Sequence, residues 1–284
     1  MNKQIEHIHG YANIDGLIPG IRGQRAFPTA AFRESDPFVM LDHIGPETVG
    51  KAYFLDGSEH AHPHRGFETL TFMFEGIMDH KDSLGNEVRL NSGSVQRMNA
   101  GSGIIHGGNM GADPKTGRFH ELQLWINNPA AEKMSQPDIH NVSDDDIPRI
   151  ETEGLYLRVI SGHLNGIQGP IQTKAHTQIA HMVSTDAAEL SIQGFARNHT
   201  TMLYVLEGEV MVNEQQLRTF QLATLTSEGD AIHISSAGAS QLLLLSGKPL
   251  KETVVLGGPF VMNSREEIRQ AHKDYQMGLF GTIN

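Results

Sequence analysis

The chain of 284 residues contains no cysteine. That excludes disulfides, thiolate nucleophiles and thiolate metal ligands, so any metal site must be built from His, Asp or Glu. Basic residues are in deficit: 22 Lys and Arg stand against 33 Asp and Glu, a formal charge of -11. No Lys/Arg cluster reverses the sign locally, which leaves direct binding to nucleic acid or to an anionic membrane without an electrostatic basis. Long apolar runs are missing as well. None approaches the roughly 20 residues needed to span a bilayer, and Met1 to Leu17 has no apolar signal-peptide core. A cytoplasmic location with no membrane partner is therefore expected. Sustained helical periodicity is scarce.

What fills the chain instead is short apolar or alternating runs between turn signals, helped by 30 Gly and 12 Pro. Leu70 to Phe74, Leu122 to Ile126, Tyr156 to Ile160, Met202 to Leu206 and Leu242 to Leu245 are such runs. Turns such as Leu84-Gly85-Asn86-Glu87 and Glu228-Gly229-Asp230 separate them at hairpin-like intervals, the pattern of an all-β barrel or sandwich. Phe72-Met73-Phe74-Glu75-Gly76 is echoed by Tyr204-Val205-Leu206-Glu207-Gly208, so the chain reads as two copies of one barrel. The stretch from Asn127 to Ile150, with Pro129, Pro137, Pro148 and Asp144-Asp145-Asp146, shows neither period. It divides the sequence into a first barrel over 1–135, a linker over 136–144 and a second barrel over 145–284. One helix is expected near 265–277, where Ser264 caps and Glu267 completes a capping box ahead of Ile268, Ala271, Tyr275 and Leu279.

The segment His60-Ala61-His62-Pro63-His64-Arg65-Gly66-Phe67-Glu68 concentrates the chemistry. Even positions of an extended strand share a face, so His62 and His64 can grip one cation, and the same parity carries Glu68, Leu70, Phe72 and Phe74 onto that face if no bulge intervenes. A third ligand must come from another strand. His106, after the turn Ser102-Gly103, supplies it, and neutral imidazoles of this kind suit Fe, Zn, Cu, Ni or Mn. Most of the 16 His have no such role: His7, His9, His140, His176, His181, His199, His233 and His272 read as surface or core residues. His60, beside the turn Gly57-Ser58-Glu59, reads as a hydrogen-bonding group at the barrel mouth.

His62-Pro-His64-Arg-Gly-Phe-Glu-Thr69 and Ala100-Gly-Ser-Gly-Ile-Ile-His106 resemble the metal-site motifs of the pirins, within the cupin superfamily. Asp36-Pro-Phe-Val-Met-Leu-Asp42, Leu122-Gln-Leu-Trp-Ile-Asn127 and Gly258-Pro-Phe-Val-Met-Asn263 extend the resemblance over nearly the whole chain. It implies tandem cupin barrels, one divalent metal, Fe(2+) above all, in the first, and a second barrel without a metal. One departure matters: pirins commonly place a Glu ligand two residues beyond the third His, where this chain has Gly108. Glu68, Glu121 or water could replace that carboxylate, and a Glu restored at position 108 is expected to tighten metal binding if nothing has done so.

Two functions follow from the resemblance. One is a quercetin 2,3-dioxygenase-type oxidoreductase that opens a flavonol-like aromatic with O2, in which Glu68 is a candidate base; its alternative role is an ion pair with Arg65 or a neighbouring cation. The other is a metal-dependent, redox-sensitive regulator that binds a transcription factor or a metabolic enzyme. A monomer is expected in either case.

Overall fold

In the computed structural model, residues 1–57 and 61–283 are described. They build two compact β units, and the chain changes over between them at Asp144 and Asp145. The termini do not follow the expected division. Met1–Asn13 and Gln24–Met40 belong with Asp145–Pro249, whereas Leu41–Asp144 is completed by Ile14–Gly23 and by the chain from Leu250 on. Residues expected as a linker form a strand, Asp138–Val142, paired with Val95–Asn99. Composition concealed it, because its polar side chains are engaged: Asp138 accepts hydrogen bonds from Arg97 and Asn99, and Gln96 donates to Asn141.

The later unit carries the strand order Ile5–His9, Leu222–Leu225, Thr200–Glu207, Ser240–Gly247, Gln178–Ser184, Leu155–Ser161, Arg149–Thr152. Facing it is a four-stranded sheet that includes Ala188–Gln193 and Ala231–Ser236. Alternate residues of both sheets, among them Leu157, Met182, Val205, Ile192, Val212 and Ile234, fill the interior with hydrocarbon. Period-two burial of this kind is the hydrophobic driving force for a barrel closed on itself.

The earlier unit stacks Asp138–Val142, Val95–Asn99, Phe67–Glu75 and Arg118–Asn127 in one sheet. The other sheet runs Phe54–Leu55, Met110–Gly111, Ile77–Asp82, Ile104–Gly107, His62–His64. Between the strand His62–His64 and the strand Phe67–Glu75 the chain bends at Gly66, with φ +86°. A Cβ there would sit 2.2 Å from the carbonyl oxygen of Val261. The break also overturns the expected parity. Phe67, not Glu68, lies against His64, with ring centroids 5.0 Å apart, so Glu68, Leu70, Phe72 and Phe74 occupy the opposite face.

The C-terminal helix Arg265–Gln276 starts as expected: Glu267 N–H donates to the Ser264 hydroxyl, and Asn263 N–H donates to the Glu267 carboxylate. It packs in the earlier unit, where Phe260, Ala271 and Phe280 form a buried cluster with Ile105 and Ile268. Leu279, expected on the buried face, lies beyond the helix and is exposed. Arg65 fastens this return of the chain. Its guanidinium donates to Ser102 O and Asp274, both at 2.7 Å, and lies 4.6 Å from the Phe280 ring centroid. Asp274→Ala would leave that buried cation uncompensated, and a loss of about 3 kcal/mol is expected. Denaturant unfolding of the variant beside wild type measures it, and an unchanged midpoint would show that the ion pair is dispensable.

Candidate metal centre

The strand His62–His64 pairs antiparallel with Ile104–Gly107 so that His106 lies directly opposite His62 and Ile104 opposite His64. Cross-strand partners share a face. Ring centroids are 4.4 Å apart for His62 and His106, 4.7 Å for His62 and His64, and 5.0 Å for His64 and His106. One nitrogen from each ring lies within 4.8 Å of the others, and among the described residues no carboxylate joins that cluster. The structure thus brings His62, His64 and His106 together, and the remaining coordination positions are not filled by Glu68 or Glu121.

Electrostatics keep the two less exposed rings, His64 and His106, neutral. Burial, reinforced by the neighbouring His62, drives the His64 pKa down to about 3, and burial with the other imidazoles holds His106 well below its ordinary value. His64 Nδ1 lies 3.1 Å from the carbonyl oxygen of Pro259, an acceptor that fixes the ring proton on Nδ1 and leaves Nε2 free. His106 Nε2 is buried and has no hydrogen-bond partner. An orphaned buried imidazole nitrogen facing other imidazoles is costly unless a cation completes it. The donor set therefore fits one divalent transition metal.

Aromatic walls flank the cluster. Trp125 stands 5.2 Å from the His64 ring and 4.3 Å from Phe67, centroid to centroid. A fourth imidazole, His80, lies 5.5 Å from His106, and its Nε2 meets the Asp82 carboxylate at 3.2 Å. Sequence reading passed over His80. Its signal was the alternation Asp79-His80-Lys81-Asp82, which places His80 and Asp82 on one face after the Glu75-Gly76 turn.

Glu68 is fully buried and accepts a 2.6 Å hydrogen bond from Arg97, which also binds Asp138. The ion-pair role is the one realised, with Arg97 rather than Arg65 as the cation. Glu121 takes the other course. It stands opposite Met73 in a register that continues unbroken to Trp125 opposite Thr69, so Glu121, Gln123 and Trp125 share the inward face. Burial, with a contribution from Asp42, raises its pKa to about 7. His60 lies outside the described residues.

The chain matches the pirin model over residues 20–126 and the pirin C-terminal cupin domain over residues 179–281. It belongs to the pirin family. It is 37% identical, over 98% of both chains, to a Pseudomonas aeruginosa protein that carries the provisional name quercetin 2,3-dioxygenase. Human pirin is 33% identical over 264 residues, which cover 90% of this chain and 87% of that one. Among solved structures, a quercetin 2,3-dioxygenase from Acinetobacter baumannii superposes over all of both chains with a TM-score of 0.88 and 30% identity. The two β units are the tandem cupin barrels of this family, and no described helix is long and apolar enough to cross a membrane.

Two predictions arise from this geometry. Gly108 has φ +150°, and a Cβ there would lie 1.5 Å from the Asp79 carbonyl oxygen. Gly108→Glu is therefore expected to displace the backbone and weaken metal binding, against the expectation from sequence, and Gly108→Ala should share its loss of thermal stability. Equal or tighter metal titration by Gly108→Glu would refute this. Glu121 has a folded pKa above its unfolded value, so its stabilising contribution is present below pH 4.5 and lost as pH rises through about 7. Glu121→Gln should raise stability at pH 8 by on the order of 3 kcal/mol at most, and by much less at pH 5. A gain independent of pH, read from melting curves at both values, would contradict the buried placement.

Proposed function

We propose that His62, His64 and His106 hold one divalent metal, iron, and that the protein is a dioxygenase acting on a flavonol-like aromatic. The observation that carries this reading is the buried, partnerless Nε2 of His106 within a cluster of three imidazoles. Such a donor set suits several first-row metals. Cleavage of an aromatic ring by O2 needs a redox-active one, which favours iron over zinc. When bound, such a metal supplies Lewis acidity and one-electron chemistry toward O2.

The chain's own residues do the rest. Pro259 O orients His64, and the Ile104–Gly107 pairing sets His106 beside His62. Phe67 and Trp125 offer an aromatic wall against which a planar ligand can stack while its oxygens face the triad. Among the described residues no carboxylate joins the triad, which is compatible with a ligand and O2 sharing the metal. Arg97 holds the Glu68 carboxylate in its ion pair, which removes Glu68 from the role of base.

Metal analysis of freshly purified protein, followed by O2 uptake on flavonols and small thiols, tests the proposal. His106→Ala should lower metal affinity by more than the roughly 10- to 100-fold seen when a supporting residue is lost, and O2 uptake with quercetin should vanish with it. Unchanged affinity would exclude the triad as the site. Full iron loading with no turnover on any substrate would exclude the enzyme and favour the regulatory role.

A further inference from the structure

One buried carboxyl of the metal barrel has no task in the chemistry described so far. Glu121 is 3% exposed. Among the described residues it has no hydrogen-bond partner, although unpaired buried polar groups are rare and costly. Its position follows from two faces. On the strand Arg118–Asn127 it shares the inward face with Gln123, which meets the Thr71 hydroxyl, and with Trp125, which packs on His64. Four residues along a strand place Glu121 roughly 13 Å from Trp125.

The neighbouring strand and the opposing sheet agree with this placement. Met73, opposite Glu121, packs in the apolar cluster of Met78, Phe119 and Ile44. Met78 and His80 alternate on one face, and His80 approaches His106. The inward faces of the barrel thus carry three imidazoles and an aromatic wall toward one end. Toward the other they carry an apolar cluster beside two buried carboxyls, Glu121 and Asp42.

We propose that Glu121 recognises a phenolic hydroxyl at the end of the ligand remote from the metal, so that the barrel selects polyhydroxylated over simple chelating aromatics. The assignment rests on the triad and flavonol reading given above. A flavonol carries a chelating hydroxyl and ketone at one end and further hydroxyls on a remote ring, so it offers a group to each end of the barrel, whereas a single-ring chelate offers only the first. A neutral carboxyl donates to the phenol oxygen and an ionised one accepts from its hydroxyl, and the amide introduced by Glu121→Gln can do both. The apolar cluster excludes competing water and sharpens the preference, because a site built to bond a hydroxyl rejects the analogue that lacks it.

The experiment uses zinc-loaded full-length protein, which binds without turnover, and two probes: quercetin, and 3-hydroxyflavone, which keeps the chelating pair and lacks the other hydroxyls. Wild type should bind quercetin more tightly by on the order of 10-fold or more. Glu121→Leu, checked for folding by its melting curve, should abolish that preference, and Glu121→Gln should retain most of it. Zinc affinity should be the same in all three proteins. If the preference persists in Glu121→Leu, or if zinc affinity drops in either variant because Glu121 is a ligand, the assignment is overturned while the flavonol reading stands. If neither flavonol binds zinc-loaded wild type, the flavonol reading falls and the assignment with it.

Discussion

The geometry of the metal centre depends on the turn at Arg65 and Gly66. Gly66 adopts a positive φ and lets the Val261 backbone approach to a distance that no side chain would permit. Arg65 O accepts from Val261 N–H at 3.0 Å, and the Lys133 ammonium donates to the carbonyls of both Gly66 and Val261 and to the Asn127 side chain. Burial lowers the Lys133 pKa to about 8, so these three acceptors are what sustain the ammonium in a site with little water. Through this knot a segment about 200 residues away in sequence presents Pro259 O to His64. The metal barrel is completed by the end of the chain, and the metal motif alone does not make the site.

The same turn decides which carboxylate serves which purpose. Without it, Glu68 would follow His62 and His64 onto the inward face; with it, Glu68 turns away and meets Arg97. A buried ion pair of this type contributes little net stability by itself, since desolvation offsets attraction, but breaking it leaves a charge stranded. Arg97 also holds Asp138 on the strand that closes the sheet edge, so Glu68, Arg97 and Asp138 act as a structural clasp. Glu121, which lacks any such cation, has its pKa pushed up to about 7 by burial and by Asp42, so its neutral form becomes accessible.

Much of this was legible from sequence. The all-β class followed from short alternating runs, and the triad followed from His-x-His plus a histidine behind a Gly-rich turn. Those signals are local: they depend on strand periodicity and turn chemistry within a few residues. What stayed hidden was long-range. Nothing in Ile5 to His9 announces that this strand pairs with Leu222–Leu225, and nothing in Phe260 announces that it bridges to Arg65. Parity beyond Gly66 failed for a related reason, because the conformation of a glycine is set by what approaches it. Gly108 shows the same limit. Its sequence position suggested a lost ligand with room to restore it, whereas the Asp79 carbonyl occupies the space a side chain would need.

A carboxylate ligand would place a negative charge beside the metal, and the described cluster has none. On the proposed reading, a divalent ion held by the triad beside Phe67 and Trp125 would keep its full charge, because imidazole ligands bring no negative charge. Such a field favours anionic oxygen donors, and a chelating enol loses its proton more readily there than in water. Glu68, neutralised by Arg97 and turned to the other face, does not offset the field. Glu121, when protonated, adds no charge either. With a metal bound, the barrel would couple a positive end, which draws an ionisable chelating group, to an end where Glu121 and Asp42 present carboxyl groups. That polarity orients an asymmetric aromatic one way round, before any contact specific to a particular substrate is considered.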